Sequence, residues 1–380
     1  MKVLFFLRRI GPYHHARFIA ASKAVDLVVV ETRRGSQEYP WQFSPGEDYK
    51  IETFPIHDPE NGIRGELLEA NINRVFDEHK PDVIVTTGWA DPEYHSAILC
   101  AHHRRINRVV ISDSRYEDVP RSWLSEKIKA LVVSNFSAAI VAGTMSRAYM
   151  VKLGFAANTI YQPWDVVDNA YIRDFPKPTL PLQDRYFLCV SRFIEKKNIS
   201  RLIEAYSIFR NKGGKRKLVL AGDGELKDQL NSLAIAKGLI EFVEFPGFIQ
   251  YGDLPVYLGK SFCLILPSVS DQWGLVVNEA MAASRPVLVS TQCGCAVDLV
   301  EDGKNGYTFD PYNVDQLAGI LTLMDLKSET EWTAMGMSSM KKIMSWDPSA
   351  FAEALRDSCK TAARAKPKSA IAILHKILGR

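Results

Sequence analysis

Long apolar runs are missing from this sequence. No window comes near the roughly 18 apolar residues that a spanning helix requires, and the apolar part of the N-terminal MKVLFFLRRIGPYHH is too short for a secretory signal core. The expectation is a protein neither exported nor membrane-spanning. Cysteine is scarce too. The six present, Cys100, Cys189, Cys263, Cys293, Cys295 and Cys359, mostly sit inside apolar runs, and no CxxC or Cys/His spacing suggests a zinc site or a disulfide framework. That excludes a cysteine-stapled scaffold and points to a reducing cytoplasm. Nor is charge of one sign in excess: 47 Lys and Arg stand against 44 Asp and Glu, a net +3 with a pI near 8.4. So slight a balance does not demand nucleic acid, although it suits an anionic ligand or a membrane surface. No period of 20–50 residues repeats and no low-complexity tract appears.

What is present is an ordinary globular composition, 47% hydrophobic and 24% charged. At 380 residues the chain exceeds the roughly 250–300 at which a single core stops growing, so two domains are expected. Short β-branched apolar runs alternate with longer amphipathic stretches, the pattern of βα units covering a parallel sheet on both faces. In the first half the strand-like runs are KVLFFL (2–7), VDLVVVE (25–31), DVIVTTG (82–88), RVVISD (108–113) and AAIVAG (138–143). In the second they are YFLCVSR (186–192), KLVLAGDG (217–224), FVEFPGF (242–248), FCLILPS (262–268) and RPVLVST (285–291). The polar, proline-bearing DNAYIRDFPKPTLPLQD (168–184) reads as a linker, with the boundary near residue 175. SWDPSAFAEALRDSCKTAARAK (345–366) reads as a long helix with Asp347 as N-cap and Pro348 at its first position.

The stretch SDQWGLVVNEA (270–280) holds two carboxylates, Asp271 and Glu279, around an apolar run. On one helix they would lie about 12 Å apart along the axis, too far to act together. If Asp271 instead sits in the loop after the strand FCLILPS and Glu279 about one turn into the following helix, both face a ligand at the helix N-terminus. Ligands bind outside the carboxyl ends of strands in such sheets, and Gly274 would let backbone N–H groups approach an anion. A surface carboxylate beside an unrelated helical Glu is the competing reading.

PSVSDQWGLVVNEAMAASRPVLVS resembles the strand-helix-strand run of glycosyltransferase family 4, a retaining family of GT-B architecture, whose motif is Glu, seven residues, Glu. Here the first acid is Asp271, one methylene shorter. The resemblance implies an α/β fold of two Rossmann-like domains facing across a cleft. An acceptor-binding domain would cover 1–175 and a nucleotide-sugar domain 176–345, with C-terminal helices over 346–380 returning to the first domain. It implies that Asp271 and the backbone of Gly274, Leu275 and Val276 hold the donor sugar, and that Glu279 binds the ribose hydroxyls. In SRFIEKKN the family's Arg and, five residues on, Lys that grip the diphosphate correspond to Arg192 and Lys197, with Lys196 the lesser candidate. Fixed cations there would favour the transition state, in which the leaving diphosphate gains charge. No Asp-x-Asp pair, the usual diphosphate-metal ligand, occurs, so neither metal nor cofactor is expected.

Gly222 and Gly224 in LAGDGEL lack the third glycine of the dinucleotide fingerprint. The resemblance makes 222–225 secondary donor contacts, with a tight turn as the alternative, and points to Phe248 and Ile249 as neighbours of the base. In RRIGPYHHARF it implies donor approach at Gly11 and an acceptor pocket at Tyr13, His14 and His15. Asp113 stands near where the family places a histidine beside the reacting sugar; as an alternative it caps a helix. The implied reaction moves a sugar, from a UDP-sugar or next GDP-mannose, to a glycan or lipid-linked acceptor in surface-polysaccharide or glycolipid assembly. In this family the leaving phosphate oxygen takes the acceptor proton. A nucleotide-sugar epimerase or hydrolase, a silent nucleotide-sugar-binding subunit, and a trehalose- or sucrose-type synthase are the rivals, because fold alone does not separate them. PRSWLSEKIKALVVSNF (120–136) and the tail KPKSAIAILHKILGR mix apolar and basic residues in a way that suits peripheral contact with an anionic membrane.

Overall fold

A computed structural model describes residues 1–33, 46–55, 62–176, 178 and 180–366. All ten runs read as strands from the sequence are strands. They are β1 (Lys2–Leu7), β2 (Asp26–Glu31), β4 (Val83–Thr86), β5 (Asn107–Ser112) and β6 (Ala138–Val141) in the first half. In the second half they are β8 (Tyr186–Val190), β9 (Leu218–Ala221), β10 (Val243–Gly247), β11 (Ser261–Leu266) and β12 (Val287–Ser290). Three further strands carry no strong pattern: β3 (Lys50–Thr53), β7 (Ile160–Tyr161) and β13 (Gly306–Phe309). Each lies at the edge of its sheet, where one flank lacks a partner and hydrophobic content is least demanded.

The strands form two all-parallel sheets, one of seven strands ordered β3-β2-β1-β4-β5-β6-β7 and one of six ordered β10-β9-β8-β11-β12-β13. Both are doubly wound, with strand order reversing next to the first strand of each. Central strands are buried on both faces: Val3 to Phe6, Val83 to Val85 and Phe262 to Ile265 are all fully buried. That double burial is why they read as continuous apolar runs.

The chain divides into two compact units, Met1–Val166 with the chain from Pro348 onward, and Val167–Asp347. The crossing at 166–167 corrects the boundary expected near 175. The segment read as a linker opens with a helix, Asn169–Asp174, capped by the Asp168 carboxylate accepting from the Tyr171 amide at 2.9 Å. Its Asn169 and Ile172 are buried in the second unit, so its polar residues serve as cap and anchor. The returning helix, Pro348–Arg364, begins at the expected proline. It sets Phe351, Leu355, Cys359 and Ala362, all fully buried, against the first sheet and the helix Pro12–Ser22. The tail from residue 367 lies outside the described residues.

Candidate active site

In the second unit the winding reverses between β8 and β11, and the loops leaving their carboxyl ends are those of SRFIEKKN and PSVSDQWG. A crevice at such a reversal is the general ligand position of doubly wound sheets. The first loop tightens into a short 3-10 turn, Glu195–Lys197, and ends at Asn198 in the left-handed region (φ 57°). Asn198 is buried, and its side-chain amide donates to the carbonyls of Pro267 at 3.0 Å and Pro311 at 2.9 Å. The Val269 amide adds a bond to the Lys196 carbonyl at 2.9 Å. These bonds fasten the cationic loop to the acidic one. Sequence reading missed Asn198, although an Asn placed directly before a helix-forming run is a signal for an αL turn or cap.

The two loops meet through their charges. Lys197 Nζ lies 2.5 Å from Asp271 Oδ2, and Ser268 Oγ lies 3.4 Å from the same oxygen; both ionised side chains are only 14% exposed. Asp271 is held by its backbone, its amide donating to Gln292 and its carbonyl accepting from Gly294 at 2.9 Å. Gly274 takes φ 109° and precedes the helix Leu275–Ala282, so Leu275 and Val276 supply the first helical amides. A Cβ at Gly274 would lie 2.5 Å from a Leu266 methyl, so the turn requires glycine twice over, for its φ and for the contact. Glu279 falls just over one turn into that helix and is 1% exposed. A carboxylate so deep needs partners or a ligand's hydroxyls to offset its desolvation.

Arg192 stands in the same loop directly after β8, partly exposed, and Ile194 donates to its carbonyl at 3.1 Å. Gly222 and Gly224 leave the end of β9 beside it. A Cβ on Gly222 would lie 1.8 Å from the Ser191 carbonyl oxygen, and one on Gly224 would lie 2.7 Å from that of Phe193, at φ 151° and 152°. Both glycines therefore let the neighbouring cationic loop close up. Gly222 donates to Gly247 at 2.8 Å, which brings the end of β10 alongside, with Phe248 exposed and Ile249 partly exposed just beyond. Arg192, Lys197, Asp271, Gly274, Leu275, Val276, Glu279, Gly222, Gly224, Phe248 and Ile249 thus all lie at the carboxyl edge of one sheet or in the helix leaving it.

The first unit is arranged around different partners from those the sequence suggested. Its reversal lies between β1 and β4, where Arg8 forms a bidentate pair with Asp91. Gly11 is extended (φ −118°), a backbone conformation open to any residue, and its amide donates to His14 Nδ1 at 3.2 Å. The His14 ring stands near Phe18 and Trp164, at centroid distances of 6.2 and 5.8 Å. Desolvation, then the Arg17 charge, depress its pKa to about 3, so it is neutral, with its proton on Nε2. His15 is engaged by Tyr49 at 3.2 Å and Asp48 at 3.7 Å. Tyr13 is partly exposed in the same first turn. Among the described helices Asp113 is no N-cap, the next two being capped at Arg115 and Ser122; its carbonyl accepts from Ser146 Oγ at 2.8 Å, and its carboxylate acts electrostatically on Arg17. Arg17, which sequence reading missed, is 1% exposed, lies 4.1 Å over the Trp164 ring and donates twice to the Val166 carbonyl.

Among the described residues one cluster has metal-ligand geometry, Glu52, Glu78 and His79. Arg74 bridges both of its acids, at 3.3 and 3.1 Å, and Lys50 lies 3.9 Å from Glu78, so two cations already face the two carboxylates. No helix among these residues is long and apolar enough to cross a membrane.

Residues 171–331 match the family model of glycosyl transferases group 1. The alpha-D-kanosaminyltransferase of Streptomyces kanamyceticus is 31% identical over 138 residues, 36% of this chain and 36% of that protein. The chain thus spans about a third of that relative. The GDP-mannose-dependent alpha-(1-6)-phosphatidylinositol monomannoside mannosyltransferase of Mycobacterium tuberculosis is 25% identical across 75% of this chain and 78% of its own length. Among solved structures, Anabaena Alr3699/HepE in complex with UDP superposes with a TM-score of 0.74 at 18% identity, covering 95% of this chain and all of that one. At that identity the likeness is one of fold, the two-Rossmann GT-B architecture. With the cationic and acidic loops of its second sheet in the order the motif requires, the second unit of this chain is similar to the group 1 glycosyl transferases over residues 171–331.

Proposed function

We propose that the protein transfers a sugar, with retention, from a nucleoside diphosphate sugar to an acceptor hydroxyl. The observation that carries this reading is the Lys197–Asp271 pair at the winding reversal of the second sheet, with Glu279 buried one turn into the next helix. In it Glu279 takes the ribose hydroxyls, as two acceptor oxygens suit a vicinal diol. The Gly274–Val276 amides and Asp271 take the sugar. Lys197 and Arg192 meet the diphosphate, whose charge rises as the bond to the anomeric carbon breaks, so their attraction is strongest in the transition state. The departing phosphate oxygen accepts the acceptor's proton, and two fixed cations do the work for which other enzymes use a divalent metal. A UDP-sugar is the first candidate, supported by the UDP bound to the structural neighbour, with GDP-mannose next.

The acceptor, a glycan or lipid-linked glycan, is assigned to the first unit, around Tyr13, His14 and Asp113. Membrane contact is assigned to the helix Trp123–Val133, where Trp123 is 74% and Leu124 62% exposed. Arg121 and Lys129 of that segment are paired with Glu126, at 3.5 and 2.9 Å, so the projection is more apolar than basic. Sedimentation with anionic and with zwitterionic vesicles tests it: binding to neither rejects the assignment.

The functional test is calorimetric titration with UDP-glucose, GDP-mannose and their free nucleotides, followed by nucleotide release with and without candidate acceptors. Release that depends on acceptor supports transfer. Release or isomerisation without one indicates a hydrolase or epimerase. Tight binding without turnover on any acceptor indicates a silent subunit, the reading that the shortened Asp271 favours.

A further inference from the structure

Trp273 lies inside the Asp271–Gly274 loop and is 3% exposed. Its indole Nε1 donates to Asn278 Oδ1 at 2.9 Å, and Asn278 is fully buried in the helix that carries Glu279. One face of the ring stacks on Trp346, with centroids 5.5 Å apart and planes 16° from parallel. Trp346 sits two residues before the chain leaves the second unit, and its own position is fixed by backbone. Its amide donates to Ile343 at 2.8 Å, and Asn169 Nδ2 donates to the carbonyls of Ile343 and Trp346 at 2.9 and 3.2 Å. Trp346 Nε1 is buried and meets no hydrogen-bond partner among the described residues. The indole is therefore not held there by its N–H. What the site uses is the flat aromatic face.

We infer that Trp346 is a positioning residue for the donor sugar: by stacking on Trp273 it fixes the Asp271–Gly274 loop, and it is the ring face that does so. The inference rests on the reading of that loop as the sugar subsite. It goes beyond that reading in naming a residue far along the sequence that shapes the sugar's contacts without touching the sugar. The mechanism is local. With Trp273 pinned at its edge by Asn278 and on its face by Trp346, the backbone between Asp271 and Gly274 has one arrangement. Loss of the stack frees the indole to turn about its bond to the chain, and the loop amides and Asp271 lose the alignment that a sugar requires. The nucleotide subsites assigned to Glu279 and the β10 end lie outside the Asp271–Gly274 loop.

Titration of wild type, Trp346→Phe and Trp346→Leu with UDP and UDP-glucose, and with GDP and GDP-mannose, tests this, with thermal melts run alongside. Trp346→Phe keeps a smaller stacking face and loses the five-membered ring that carries the idle N–H, so its affinities are expected within about twofold of wild type. Trp346→Leu keeps bulk without a face. Its affinity for the nucleotide sugar is expected to fall by about tenfold, that for the free nucleotide by less than about twofold, with an altered near-ultraviolet circular dichroism signal from Trp273. Equal losses for nucleotide and nucleotide sugar would mean general damage and overturn the inference, as would unchanged binding in Trp346→Leu or a Phe variant as weak as the Leu one. Wild type that binds none of these ligands would instead reject the functional reading itself.

Discussion

Lys197 and Asp271 are hydrogen-bonded to one another at 2.5 Å across two loops that are 74 residues apart in sequence. The cation assigned to the diphosphate and the acid assigned to the sugar thus preorganise each other. Neither swings free, and ligand binding redistributes contacts within a pair already desolvated to the same degree on both sides. Replacing Lys197 by Ala removes a transition-state charge and leaves Asp271 unpaired. Turnover is expected to fall by about 10²–10³, and unfolding free energy by about 1–3 kcal/mol. Saturating-donor kinetics and urea denaturation measure the two; a kcat within threefold of wild type would contradict the role.

Glu279 is assigned above to the nucleotide and not to the breaking bond. Glu279→Ala is expected to raise the KM for donor by about 10- to 100-fold, the worth of a charge-assisted hydrogen bond, with kcat changed far less. Steady-state kinetics at varied donor, with acceptor saturating, separate the two; a fall in kcat alone would move Glu279 to the reacting centre.

At Gly222 the backbone argument is steric. An Ala Cβ there would overlap the Ser191 carbonyl oxygen at 1.8 Å, forcing β9's loop away from the Arg192 loop. Gly222→Ala is expected to cost about 2–4 kcal/mol and to depress donor affinity. Gly154→Ala makes a control, since Gly154 also has positive φ (106°) but open space around its Cβ position, and about 1 kcal/mol is expected there. Denaturant midpoints of the two variants compare them directly; equal costs would show that φ alone matters.

His14 sets a pH dependence of stability. Its folded-state pKa is about 3, below the usual 6.5 or so of the unfolded chain. Between these values the unfolded state binds a proton that the folded state refuses, so stability rises with pH through that window and is lost as pH falls below about 6.5. Near pH 5 the difference from a His14→Gln variant is expected to reach about 1–2 kcal/mol, vanishing above pH 7. Parallel denaturation of both proteins across pH 4.5–8 checks it; superimposable profiles would rule out the desolvated neutral imidazole.

Strands and motif loops were legible in the sequence for a common reason. Strands such as Phe262–Leu266 are buried on both faces, so composition alone marks them. The spacing of Asp271, Gly274 and Glu279 follows from a strand, a tight turn and one helical turn. What stayed hidden depends on contacts between distant segments. Asn198 matters because Pro267 and Pro311 converge on it, and Arg17 because the Trp164 face and the Val166 carbonyl meet it; neither has a local pattern. The supposed linker misled because a helix of six residues, Asn169–Asp174, with one Asp cap and two buried side chains has the composition of a loop.

The helix Pro348–Arg364 follows the whole of the second unit in sequence yet belongs to the first unit. On a ribosome reading from the N-terminus, the opening half emerges with the faces of β5, β6 and the helix Pro12–Ser22 still bare, awaiting Phe351, Leu355 and Cys359. The later half holds all its strands and most of its helices before that moment. Synthesis order and completion order are thus inverted: the lobe translated second is able to settle first, and the N-terminal lobe closes its core only once that helix has emerged.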